Sequence, residues 1–144
     1  MHVLLAESNE ADAAAVMKAV RRHDSRHIIS WATDGAAALE VIFSCTRRRT
    51  ARHAVRLDLV LLALKLPTID GVEVLRRLKR RASSSGIPVV MLITAPGERD
   101  IVESYAVGTT GFLVKPVTAA AFAATLAAQT RGDDPAHHRS EARS

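Results

Sequence analysis

The chain has 144 residues, 48% of them apolar and 24% charged, which suits one globular domain with a sizeable core and excludes disorder throughout. Lysine and arginine number 20 against 15 acidic residues, and only 3% of the residues are aromatic, so the basic excess lacks the side chains of a stacking platform for single-stranded nucleic acid. We therefore expect one domain, without a separate output domain.

Neither a membrane span nor a secretory signal is predicted. The longest near-apolar stretch, 117–128, has 12 residues, whereas a helix that crosses a bilayer needs ~20. Glu7 interrupts the apolar amino terminus before a signal sequence can form. The single cysteine, Cys45, cannot make an internal disulfide, as is usual in a reducing compartment. We therefore expect a cytoplasmic protein.

Short β-rich runs alternate with helical patterns along the chain. The predicted strands are 3–5, 27–31, 57–62, 88–93 and 111–114. Each is followed by a helical pattern, and these helices begin near Asn9, Asp34, Asp70, Glu98 and Thr118. The alternation predicts an α/β fold in which a parallel sheet lies between two layers of helices, with the strand order 2-1-3-4-5 of the flavodoxin-like doubly wound arrangement.

The composition changes at two places in the chain. Residues 1–130 are predicted to form the domain, and 131–144 a disordered tail, in which the pair His137-His138 is only a weak metal motif. Arginines crowd the acid-free stretch 47–56, and a second basic run covers 76–81. Such runs are typical of a solvated face, and the alternative is a basic nucleic-acid-binding module.

The predicted topology indicates where a site should lie. In a sheet of this order, ligands bind at the carboxyl ends of the strands, where the strand order reverses. The residues expected there are Glu7, Ser8, Ala63, Leu64, Lys65, Ile93, Thr94 and Lys115. They include no cysteine, histidine or pair of carboxylates, so the sequence does not predict an enzyme.

Four segments in order, VLLAESNEADA, DLVLLALKLPTIDGVEVL, IPVVMLITAPGERDI and GTTGFLVKP, resemble the landmarks of the receiver domain of bacterial two-component response regulators. The resemblance covers about residues 2–130 and is greatest to single-domain receivers that partner phytochrome-type histidine kinases. It implies a pair of acids after the first strand and a phosphoacceptor Asp after the third. It also implies a hydroxyl residue after the fourth strand, an aromatic residue in the fifth, a Lys-Pro pair, and Mg²⁺ between the acids and the phosphoryl group.

The sequence departs from this pattern at the positions that carry the chemistry. Glu7 matches the first acid, but Ser8 replaces the second. Ala63 stands at the phosphoacceptor position and Ile93 at the hydroxyl position. Thr94 is not expected to replace the lost hydroxyl, because consecutive residues of an extended chain face opposite ways. An aspartyl phosphate cannot form on a methyl side chain, and we expect Mg²⁺ binding to be lost as well.

The remaining positions follow the family pattern. Phe112 stands at the aromatic position, where core packing is expected, and Lys115-Pro116 is intact, with a cis peptide bond implied by the resemblance. Lys65 follows the lost acceptor by two residues. One interpretation has its ammonium paired with Glu7, and the other has it in solvent. Counting Glu7 against Lys65 and Lys115, we expect one net positive charge in the crevice, which would repel a divalent cation.

These features predict a pseudo-receiver, a stand-alone receiver that acts by protein contact without being phosphorylated. The expected partner is a histidine kinase or another signalling protein, with a homodimer through the fourth helix, fifth strand and fifth helix. No cofactor, membrane or nucleic acid is expected to bind. The first alternative is an ordinary phosphoaccepting receiver in which Ala63 is an engineered replacement of Asp, and the second is the basic nucleic-acid-binding module.

Overall fold

The computed structural model describes residues 1–47, 56–104, 108–109 and 111–130. Strands and helices alternate along the chain. The strands are β1 (His2–Ala6), β2 (Ile28–Ala32), β3 (Leu59–Ala63), β4 (Val89–Ile93) and β5 (Gly111–Val114). The helices are α1 (Glu10–His23), α2 (Gly35–Arg47), α3 (Gly71–Arg80), α4 (Glu98–Ser104) and α5 (Ala119–Thr130).

All strands belong to one parallel sheet of order β2-β1-β3-β4-β5, which confirms the predicted fold. β1 and β3 are neighbours, and Ala6 lies opposite Leu62. Glu7 and Ala63, the next residue of each chain segment, therefore meet at the same edge of the sheet. This is the edge that the strand order predicts for a site.

The central strands β1, β3 and β4 are buried along their whole length, as strands covered on both faces should be. Alternate residues face opposite layers, so Leu4 packs in the cluster that includes α2 and α3, whereas Leu5 packs in the cluster that includes α1 and α5. Phe122 of α5 is fully buried in the second cluster. Two apolar layers thus hold the helices against the sheet.

Side-chain caps fix where the helices begin. Asn9 Oδ1 accepts the Asp12 amide at 2.9 Å, Asp34 Oδ1 accepts the Ala37 amide at 2.7 Å, and Asp70 Oδ1 accepts the Glu73 amide at 3.0 Å. Thr118 Oγ1 accepts the Ala121 amide at 3.0 Å. Each cap satisfies an amide that the first helical turn leaves unpaired. The caps place these helix starts at the carboxyl edge of the sheet, beside the expected site.

Some predicted boundaries differ from the observed ones. His27 was predicted to begin the second strand, but its amide donates to the Asp24 carbonyl at 3.1 Å, so it belongs to the preceding turn. Three predictions lie outside the described residues: the helix end at 105–106, most of the arginine-rich stretch, at 48–55, and the tail at 131–144. No helix in the described part of the chain is long and apolar enough to cross a membrane.

Candidate functional site

Glu7 is the buried acid of the site, with only 2% of its surface exposed. Its amide donates to the Ala32 carbonyl at 3.0 Å, and its carbonyl accepts the Trp31 indole N–H at 2.8 Å, so its main chain is held against β2. Its carboxylate accepts the Asn9 amide at 3.1 Å and the Lys115 ammonium at 2.8 Å. A buried carboxylate needs such partners, because burial without them is costly.

Lys115 joins two acids across the sheet. It follows β5, and its amide donates to the Ile93 carbonyl at 2.8 Å, which aims the side chain over the carboxyl edge. The ammonium donates to Glu7 Oε1 at 2.8 Å and to Asp12 Oδ2 at 3.0 Å. Burial disfavours the charged ammonium, but the hydrogen bonds and negative charges of Glu7 and Asp12 outweigh burial and raise the Lys115 pKa above 10.5.

The phosphoacceptor position holds a buried methyl group. Ala63 is the last residue of β3 and is 2% exposed. The chain turns sharply after it, and the Gly71 amide returns to donate to the Leu64 carbonyl at 2.9 Å. Ser8, at the position of the second acid, is exposed. Neither residue brings a carboxylate to the crevice.

The suggested ion pair between Lys65 and Glu7 is corrected by the structure. The Lys65 side chain is exposed, and Glu7 has Lys115 as its cation instead. The physical reason is the path of the chain beyond each strand: Lys115 directly follows β5 and its ammonium reaches Glu7, whereas Lys65 lies two residues beyond β3 with its side chain exposed. The acid near Lys65 is Glu98: hydrogen bonds from Thr94 lower the Glu98 pKa, and the positive charge of Lys65 lowers it further.

The predicted charge balance is also wrong, because it omitted Asp12. Asp12 adds a second acid and Lys65 faces outward beside Glu98, so Glu7, Asp12 and Lys115 together carry one net negative charge. The donor set nevertheless does not fit Mg²⁺, which prefers several oxygen ligands in an octahedron. Both carboxylates are hydrogen-bonded to the Lys115 ammonium, and Ala63 offers no oxygen from its side chain. Within the described ranges, no group of at least three His, Cys, Asp or Glu side chains is placed to hold a metal ion.

The loop between β4 and α4 is organised by a carboxylate of its own. Glu98 Oε1 accepts the Thr94 amide at 2.6 Å, the Thr94 hydroxyl at 2.9 Å and the Ala95 amide at 3.2 Å. Ile93 is 2% exposed, whereas Thr94 is exposed. The Thr94 hydroxyl is therefore engaged on the outer side of the loop, in agreement with the expectation that it does not replace a hydroxyl at position 93.

Glu98→Gln should weaken the fold slightly, and more so at neutral pH than in acid. The main-chain and hydroxyl hydrogen bonds of Thr94 lower the Glu98 pKa. A carboxyl group with a lowered pKa stabilises the fold above its unfolded pKa, and this contribution is lost as the pH falls through the folded value. We expect a loss of no more than about 1 kcal/mol, because water reaches the loop.

Chemical denaturation at neutral pH and at about pH 3 checks this expectation. Asp100→Asn is the control, since it removes a charge from the same helical turn. A loss for Glu98→Gln that is the same at both pH values, or that is matched by Asp100→Asn, would show that the hydrogen bonds to Thr94 do not stabilise the fold.

The other family positions lie where the sequence predicts them. Phe112 is half-buried against the α2 and α3 cluster, and the Arg99 guanidinium lies 4.9 Å above its ring centroid. The Lys115-Pro116 peptide bond is cis. The aromatic residue thus packs as core, as expected, and also supports a cation of α4.

Sequence reasoning missed Asp12 and Glu98. Both are acids in the first turn of a helix that begins at the carboxyl edge of the sheet. The helix dipole alone favours acids in the first turn of a helix, so the presence of Asp12 and Glu98 there does not mark them as site residues. The available signal was their position: every helix that follows a strand returns its first turn to the site edge, which brings these carboxylates near Lys115 and Thr94.

Comparison with known proteins covers most of the chain. Residues 3–127 match the family model of the response regulator receiver domain. The chain is 35% identical over 116 residues to the probable methanogenesis regulatory protein FilR2 of Methanothrix harundinacea, which covers 81% of this chain and 72% of that protein. It is 32% identical over 113 residues to the response regulator Rcp1 of Synechocystis, which covers 78% of this chain and 75% of Rcp1.

A solved structure has the same fold. The bacteriophytochrome response regulator AtBRR superimposes with a TM-score of 0.77 at 34% identity, over 87% of this chain and 89% of that one. The match therefore spans most of both chains. The chain belongs to the family of response regulator receiver domains.

Proposed function

We propose that this receiver acts in two-component signalling through protein contact without being phosphorylated. One observation carries the proposal: the end of β3 presents the Ala63 methyl group, which is 2% exposed. Phosphoryl transfer to a receiver needs a carboxylate oxygen as nucleophile at this place. Without it, the chain has no acceptor where the family pattern requires one.

The surrounding carboxylates do not supply a substitute. Glu7 is 2% exposed and bonded to the Lys115 ammonium, and Asp12 is bonded to the same ammonium. Attack by a Glu7 oxygen would break an ion pair in a buried place, and attack by Asp12, whose side chain is 42% exposed, would still break its bond to the same ammonium. Loss of Mg²⁺ binding belongs to the same proposal, since the oxygens that an ion would need already have a cation.

Signalling then depends on a surface that the protein always presents. The Lys115 ion pairs connect β5 with the start of α1, and Glu98 holds the loop between β4 and α4. A histidine kinase or another signalling protein is the proposed partner, and the likeness to bacteriophytochrome response regulators supports a kinase of the phytochrome type. The proposed homodimer would use α4, β5 and α5, where Val114 is 45% exposed.

Intact-mass measurement after incubation with acetyl phosphate and Mg²⁺ tests the missing acceptor. The unaltered chain should gain no species heavier by about 80 Da, the mass of a phosphoryl group. A receiver with an intact acceptor Asp serves as the positive control for the reagent. An acid-labile phosphoryl group recovered from this chain would contradict the proposal.

Ala63→Asp separates the proposal from the engineered alternative. Under the proposal this single change restores no labelling, because Ser8 and Ile93 still lack the second acid and the hydroxyl. The triple variant Ser8→Asp, Ala63→Asp, Ile93→Thr restores the missing groups together and is expected to label. Full labelling of Ala63→Asp alone would favour an ordinary receiver that has lost only its acceptor.

A further inference from the structure

A groove of about 250 Å³ opens beside the degenerate site, between the first turns of α3 and the exposed side of α4. Three of its lining side chains are apolar: Val72 of α3 is 8% exposed, Leu64 after β3 is half-buried, and Ile101 of α4 is 50% exposed. Lys65 and Arg76 line it as well, together with the acids Asp70 and Glu73. The groove therefore combines an apolar surface with charged groups.

The acids that line the groove are already engaged. Asp70 caps α3 by accepting the Glu73 amide at 3.0 Å. Glu73 accepts hydrogen bonds from Arg76 at 2.6 Å and from Arg77 at 2.9 Å. The Lys65 side chain is exposed. None of the ion pairs among the described residues involves its ammonium, so the ammonium can pair with a ligand.

We infer that this groove binds a peptide segment of a partner protein in which an apolar side chain stands next to a carboxylate. The apolar side chain would pack on Val72, Leu64 and Ile101, and the carboxylate would pair with Lys65. The inference rests on the proposed function, because it names the surface and the partner chemistry of a receiver that signals by contact.

The size of the groove favours this occupant. Sites for drug-sized ligands usually measure about 300–1,000 Å³, so a hollow of about 250 Å³ fits one large apolar side chain better than a whole metabolite. A carboxylate beside the apolar group matches the charge of Lys65, and a lysine in its place would meet a like charge. A short acidic and apolar segment thus satisfies both parts of the groove.

Titration of the ¹⁵N-labelled protein with two peptides tests the inference. The probes are N-acetyl-Leu-Glu-amide and N-acetyl-Leu-Lys-amide, at low salt and without a phosphodonor. We expect the glutamate peptide to shift the amide signals of Lys65, Val72 and Ile101 and to bind about fivefold more tightly than the lysine peptide, as one exposed ion pair allows. Lys65→Glu should reverse this preference, and Ile101→Ser should weaken both peptides.

Lys18→Glu is the matched control, because it makes the same charge change at an exposed position on α1. It should keep the preference for the glutamate peptide. Equal binding of the two peptides, signal shifts away from the groove, or the same effect from Lys18→Glu and Lys65→Glu would overturn the inference. Phosphorylation of the chain together with selective peptide binding would instead defeat the proposed function and leave the groove assignment intact.

Discussion

Lys115→Met is expected to destabilise the fold by about 3–5 kcal/mol, the usual cost of removing one partner of a buried ion pair. Glu7 would keep its negative charge at a side chain that is 3% exposed, with the Asn9 amide as its remaining donor. Asp12 suffers less, because its side chain is 42% exposed and water can solvate it. Denaturant unfolding followed by far-UV circular dichroism measures the loss.

The double variant Glu7→Gln, Lys115→Met separates charge from packing. It removes the unpaired charge and should recover much of the stability lost in Lys115→Met, whereas Lys18→Met, at an exposed position, should change stability by less than about 0.5 kcal/mol. If the double variant is no more stable than the single one, the ion pair is not what holds this edge together.

In the unaltered chain the ion pairs of Lys115 stabilise the fold only up to a certain alkaline pH. The raised Lys115 pKa means that its contribution is fully present below the unfolded value of about 10.4 and is lost as the pH rises through the higher folded value. At neutral pH the lysine is charged in both states. The ion pairs therefore stabilise the site edge without making it a switch near physiological pH.

The sequence predicts the layout of the sheet well because burial leaves a strong pattern. β1, β3 and β4 are continuous apolar runs, and the caps at Asn9 and Asp70 mark where helices begin. Once the strand order is known, Glu7 and Lys115 must come to the same edge. These parts of the site follow from topology alone.

The topology does not determine which lysine pairs with Glu7 at that edge. Lys65 and Lys115 are both lysines just beyond a strand, and the difference between them is the direction of the chain as it leaves the sheet. The turn after β3 directs Lys65 outward, and the short connection after β5 directs Lys115 across the edge to Glu7 and Asp12. Linear spacing carries no information on this direction, which explains why the predicted pairing and charge balance were wrong.

Gly71→Ala is expected to destabilise the fold by about 3 kcal/mol or more, because the added methyl group would overlap main-chain atoms. An ideal Cβ at Gly71 would lie 2.1 Å from the Ala63 carbonyl oxygen and 2.8 Å from that of Leu64. Both obstacles are main-chain atoms of a buried strand end, so they cannot move as a flexible side chain would. Equilibrium denaturation measures the effect.

Gly86→Ala is the control, since nothing lies within 4 Å of the Cβ it would add. It should change stability by less than about 1 kcal/mol, so that a large loss at Gly71 reflects the contact and not the removal of glycine. Similar, small losses of stability in both variants would mean that the turn after β3 adjusts to the added methyl group at little energetic cost.

The same turn is confined from its other side at Gly35, the first residue of α2. A Cβ there would lie 1.8 Å from the Ile69 carbonyl oxygen, and the Gly35 amide donates to the Pro67 carbonyl at 3.1 Å. Two close backbone approaches therefore fix the segment from Ala63 to Gly71. Because Leu64 and Lys65 lie within it, a substitution that loosens this turn should weaken peptide binding in the groove even where the sheet stays intact. Peptide titration of Gly71→Ala therefore also tests whether the proposed groove needs a rigid turn between Ala63 and Gly71.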